Sequence, residues 1–119
     1  MDEIIKFKQL SEEASQKILS FGEDLMLVEY CFKKGFIGKE HKHEEHAQGG
    51  YVVKGSFEII LGNERKILKQ GDTYYAAKNV SHGIVALEDD SIIVDVFTPM
   101  RSDFLTIWKN QKVNMRIDF

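Results

Sequence analysis

Residues 41–48 read H-K-H-E-E-H-A-Q, which places three of the chain's four histidines (His41, His43 and His46) within six residues. Gly35 stands ahead of the stretch and Gly55 closes it. Two readings compete: a charged, solvated loop, or the metal site of an enzyme. Side chains two apart on a strand point the same way, so His41 and His43 can present both rings to one side. Gln48 lies five residues past His43, an offset that strict alternation sends to the opposite face. A turn in the polar E-E-H-A would restore it. The remaining histidine, His82, sits far off in V-S-H-G. Imidazoles joined by an amide oxygen suit a divalent transition metal such as Zn, Ni, Fe or Mn.

Outward from this stretch the chain reads as short strands between turn signals. Gln16 to Ser20 and Leu25 to Phe32 flank F-G-E-D, a hairpin turn. Tyr51 to Leu61 is strand with a break at Gly55, and turns follow at Gly62-Asn63 and Gly71-Asp72. H-G-I-V-A-L, the acidic turn E-D-D and S-I-I-V-D-V-F complete the pattern. Turn signals at roughly 8–12-residue intervals without a helical period predict an all-β sandwich or barrel. The ends differ. Leu10 to Ala14 suggests one helical turn, and S-D-F-L-T-I-W-K-N after Pro99 a short C-terminal helix with Ser102 as its N-cap. Trp108 is expected to pack against the barrel, and V-N-M-R-I-D-F to form an edge strand or an arm reaching a partner.

With 119 residues the chain is expected to form a single domain, residues 1–119. Its net charge is −3 with the lysines scattered, which argues against a nucleic-acid footprint. Cys31 is the one cysteine, so no internal disulfide forms, and it reads as a buried structural thiol. The opening M-D-E-I-I-K-F-K does not resemble a signal peptide, and no apolar run approaches the ~20 residues that span a bilayer. The expected setting is the cytoplasm, with no membrane partner.

The glycines and histidines together resemble the two signature motifs of the cupin superfamily. Gly35, His41, His43, Gln48 and Gly55 follow the spacing of the first, with Gln48 where that motif has an acid. Gly71, Ala77, Asn79, His82 and Ala86 follow the second, with Ala77 for proline, Asn79 for glycine and Ala86 for asparagine. Asparagine tolerates left-handed geometry nearly as well as glycine, so the turn survives. Glutamine keeps an oxygen donor but removes a negative charge, leaving a metal the stronger Lewis acid. The resemblance implies a double-stranded β-helix, a jelly roll of six to eight strands, holding one metal ion per chain through His41, His43, Gln48 and His82. His46 is not a ligand in that motif; it either orients Gln48 or faces water.

Asp95 interrupts the apolar run I-I-V-D-V-F, where alternation places it on one face with Ile93 and Phe97. A carboxylate among such neighbours has a partner or a task. Arg101, just past Pro99, either closes over the same opening or pairs at the surface with Asp103. H-x-H-x-x-x-x-Q-x-x-Y-V-x-x-G with D-V-F-T-P-M-R-S-D-F resembles the small cupins of the pectin-degradation KdgF type. That likeness implies ring opening of 4,5-unsaturated monouronates to 5-keto-4-deoxyuronate. Asp95 and Arg101 would be catalytic, and Phe97, Arg101 and Tyr51 would line the pocket for a small sugar acid. Two other readings stay open: an Fe(II) dioxygenase, and a non-catalytic metal-binding cupin that holds a small acid. An open jelly roll leaves sheet edges, so a homodimer is expected.

Overall fold

The computed structural model describes residues 4–107. Its strands are β1 (Ile4–Ile5), β2 (Phe7–Gln9), β3 (Ala14–Phe21), β4 (Met26–Phe32), β5 (Ile37–His41) and β6 (Ala47–Lys54). They continue as β7 (Ser56–Leu61), β8 (Glu64–Lys69), β9 (Thr73–Ala76), β10 (His82–Ala86), β11 (Ser91–Thr98) and β12 (Thr106–Ile107). One sheet has six strands in the order β2-β3-β4-β11-β6-β9, and a second has four, β5-β10-β7-β8. A short β1-β12 ribbon joins the two ends of the described chain. All pairings are antiparallel. The expected all-β jelly roll is therefore present, with more strands than the six to eight anticipated. No helix among the described residues is long and apolar enough to cross a membrane.

Strict alternation builds the core. Met26, Val28, Tyr30 and Phe32 point inward along β4, and Ser91, Ile93, Asp95 and Phe97 along β11. They meet Phe57 and Ile59 of β7 and Ile84 and Ala86 of β10 in one buried cluster. Phe32 and Phe57 pack edge to face across the two sheets, with centroids 6.1 Å apart. Burying a side chain of this size contributes ~1.5–3 kcal/mol, so the apolar residues hold the sheets together. The inner face of the larger sheet also carries polar groups, Gln16, Gln48, Tyr74 and Asp95, all buried.

The ends depart from expectation. Residues 11–13 form a bend, and Ala14 already belongs to β3, its side chain buried in line with Gln16 and Ile18. Core alternation thus overrides the weak helical signal. The helix expected from Ser102 is one 3-10 turn, Ser102–Phe104, preceded by Arg101 without a side-chain cap. It stops because Phe104 is buried and Leu105 is extended, leading into β12. Trp108 and the final V-N-M-R-I-D-F lie outside the described residues.

Candidate metal centre and polar relay

His41 ends β5 and His82 begins β10, and the two are direct cross-strand partners, which sets their ring centroids 4.6 Å apart. His43 lies two residues past the strand end, not on the strand. The chain curves back, so its ring stands 4.8 Å from His41 and 5.1 Å from His82. One candidate ligand atom from each ring lies within 4.8 Å of the others. That loop is tied down by Asn79, whose backbone N–H donates to the His43 carbonyl at 2.8 Å. Asn79 has φ 66°, the left-handed geometry expected at this position.

The tautomers follow from the neighbours. Nδ1 of His41 faces the Lys39 carbonyl at 2.8 Å, and Nδ1 of His82 faces the Val80 carbonyl at 3.1 Å. A carbonyl only accepts, so both Nδ1 atoms carry the proton and both Nε2 atoms carry a lone pair in the neutral rings. Arg101 Nη1 approaches His43 Nε2 at 3.4 Å, and a guanidinium only donates, so this nitrogen is a lone-pair atom too. Three imidazole lone pairs thus gather at one end of the barrel. This is the donor set of a divalent transition-metal site.

Gln48 is the second residue of β6, just after the bend at Glu44-Glu45, and its side chain is buried within the sheet's inner face. The bend supplies the change of face that strict alternation lacked. Its Nε2 donates to the Tyr74 hydroxyl at 2.8 Å, and that hydroxyl donates to Asp95 Oδ1 at 2.7 Å. Gln48 Oε1 and Asp95 Oδ2 have no hydrogen-bond partner among the described residues. An unmet buried polar atom costs ~1–3 kcal/mol, so two at one site indicate groups kept for a ligand. Burial pushes the Asp95 carboxyl up to about 8, against the opposing effect of the Tyr74 hydrogen bond. Burial and the Asp95 charge push the Tyr74 hydroxyl well above its usual range.

Arg101 is buried despite its charge. Its Nε and Nη2 close a fork on Asp103, at 3.1 and 2.6 Å. Its guanidinium carbon lies 4.1 Å from the centre of the Phe104 ring and 5.2 Å from that of Phe97. The pair with Asp103 exists, although Arg101 is buried and not at the surface, and the residue stands beside His43. Phe97 is fully buried and is the cross-strand partner of Gln48. A cleft of about 480 Å³ lies outside this arginine, lined by Lys42, His43, Glu44, Glu45, His46 and Arg101 among others. His46 packs its ring 5.9 Å from that of His43. Tyr51 stands apart. Alternation along β6 turns it outward, 50% exposed, while Gln48 and Val52 point inward, so the structure does not bring it to the pocket.

The sequence reading overlooked Tyr74 and Gly50. Gly50 is the cross-strand partner of both Tyr74 on β9 and Asp95 on β11. A Cβ there would lie 2.2 Å from Tyr74 Cε1 and 2.6 Å from Asp95 Oδ1. Only a residue without a side chain lets tyrosine reach across a strand to the carboxylate. The visible signal was the pair Gly49-Gly50 inside a strand pattern, which marks such a close approach.

Comparison with known proteins agrees with this architecture. The Cupin_2 family model, described as a cupin domain, matches residues 28–97. The pectin degradation protein KdgF of Dickeya dadantii is 45% identical over 105 residues, 88% of this chain and 96% of that protein. The structure of KdgF from Halomonas sp. superposes with a TM-score of 0.81 at 41% identity, over 83% of this chain and 90% of the other. An RmlC-like cupin from Shewanella frigidimarina gives 0.76 at 34% identity, over 87% and 89%.

Proposed function

We propose that this chain, which belongs to the cupin family and to its KdgF type, opens the ring of 4,5-unsaturated monouronates to 5-keto-4-deoxyuronate in pectin degradation. The observation that carries the reading is Asp95: a fully buried carboxyl with one unpartnered oxygen, on the sheet face that also carries Gln48. The large majority of buried side-chain polar atoms have a partner, so one left without calls for a role. The reaction moves no electrons to an acceptor. The bond from the anomeric carbon to the ring oxygen breaks, the anomeric hydroxyl loses its proton, the ring oxygen becomes the carbon-5 ketone and carbon 4 gains a proton.

The residues divide this work. With its carboxyl held up to about 8, Asp95 carries a proton at neutral pH. It delivers that proton from Oδ2 to carbon 4 and takes back the anomeric one, while Tyr74 holds Oδ1 still. His41, His43, His82 and Gln48 would hold one divalent transition metal, which when bound supplies Lewis-acid charge for the developing oxyanion. Arg101 meets the substrate carboxylate through its Nη1 edge alone, because Asp103 occupies the fork. Phe97 braces that guanidinium from below. The same reading makes the chain one domain working as a cytoplasmic homodimer.

The test follows the ultraviolet absorbance of the conjugated carbon 4–carbon 5 double bond, which the 5-keto product lacks. The parent protein should accelerate its loss above the spontaneous rate. Asp95→Asn should lower kcat by about 10²-fold or more, with KM and metal content little changed. An Asp95→Asn, Arg101→Ala double variant that converts the uronate at the parental rate overturns the reading. A parent that binds metal and uronate without turnover points instead to a non-catalytic binding cupin.

A further inference from the structure

We propose that Tyr74 is a positioning residue for the metal centre: it turns the Gln48 amide so that the carbonyl oxygen, not the nitrogen, is presented to the ion. The inference rests on the metal reading above and adds a residue that lies outside the ligand set. A glutamine amide is nearly symmetric in shape, and its two ends differ only in hydrogen bonding. Some neighbour must therefore fix which end is left for the ion.

Tyr74 makes that choice because a hydroxyl has one proton. Asp95 Oδ1 takes it, at 2.7 Å. The oxygen is then left only lone pairs for Gln48, so it accepts from Nε2, at 2.8 Å. The opposite end of the amide, Oε1, is turned away from the tyrosine, and it is the buried atom without a partner. Without Tyr74 nothing described holds Nε2, and the amide can present an N–H that repels a cation. Gly50 makes the arrangement possible, since a Cβ there would occupy the path of the tyrosine ring.

Replacing Gln48 by glutamate removes the need for a choice, because both ends of a carboxylate are oxygen. The experiment is therefore a double-mutant cycle read as nickel affinity. Metal-stripped protein competes with a chromophoric chelator for Ni²⁺, in the parent, Tyr74→Phe, Gln48→Glu and the double variant. Tyr74→Phe should weaken affinity by about 10-fold or more with Gln48 in place, the usual effect of losing a ligand's outer partner. In the Gln48→Glu background the loss should fall below about 2-fold. Equal losses in both backgrounds, or none in either, overturn the role of Tyr74 while leaving the metal site intact. A parent that binds no nickel overturns the metal reading and this inference with it. If Tyr74→Phe does not fold, Gly50→Ala keeps every polar group but displaces the ring. It should show the same selective loss, and parental affinity in Gly50→Ala refutes the proposal.

Discussion

Asp95 ties the proposed chemistry to the stability of the molecule. Its carboxyl is pushed up to about 8 from an ordinary 3.8, because burial penalises the charge more than the Tyr74 hydrogen bond relieves it. The folded state therefore binds the extra proton between those values. Its contribution is thus fully present below about pH 4 and is lost as pH rises through about 8, at no more than ~1.4 kcal/mol per pH unit. Metal-free protein should lose thermal stability from pH 5 to pH 8, and Asp95→Asn should flatten that decline. Melting temperatures of both proteins in a chelating buffer check this. A parental profile as flat as the variant's places the carboxyl at an ordinary value. Asp95 was legible in the sequence as an interruption of an apolar run. Its partner Tyr74 was not, because the contact skips a strand and only register reveals it.

At the scale of elements, turns decide where the candidate ligands fall. The turn between β9 and β10 places left-handed Asn79 where its N–H grips the His43 carbonyl. Asn79→Gly should leave stability within about 0.5 kcal/mol, whereas Asn79→Ala should cost ~1–2 kcal/mol for the same backbone. Urea midpoints of the two variants measure the difference. Strand positions were readable because period-2 alternation and turn residues agree along the middle of the chain, from β3 to β11. Tyr51 entered the expected pocket through a motif likeness that ignored parity: three residues past Gln48, alternation turns it outward. The 3-10 turn at Ser102–Phe104 has helical capping chemistry but no length in which to use it. The histidine cluster was legible as a set, though its geometry comes from a cross-strand pair plus a loop, not from two positions on one strand.

In the molecule as a whole, the two ends of the described chain converge on Arg101. β1 pairs with β12, and the buried Lys8 ammonium on β2 donates to the Phe104 carbonyl across 96 residues of sequence. Burial lowers the Lys8 pKa, and Asp103, the partner of Arg101, offsets part of that. Lys8→Met should leave nickel affinity unchanged, because no ligand is touched. It should raise KM about fivefold, the equivalent of one hydrogen bond of ~1 kcal/mol that holds the arginine's turn. Steady-state kinetics on the unsaturated uronate beside the chelator titration separate the two effects. A KM equal to the parent's removes Lys8 from the positioning of Arg101.

The convergence has a mechanical consequence. Here the β1-β12 ribbon and the arginine's turn share backbone and hydrogen bonds, while His41 and His82 face each other across paired strands of the second sheet and His43 lies in the loop beyond. Grip on the proposed substrate and grip on the ion would thereby rest on different supports: the one on bonds between segments distant in sequence, the other on a strand pair and one loop.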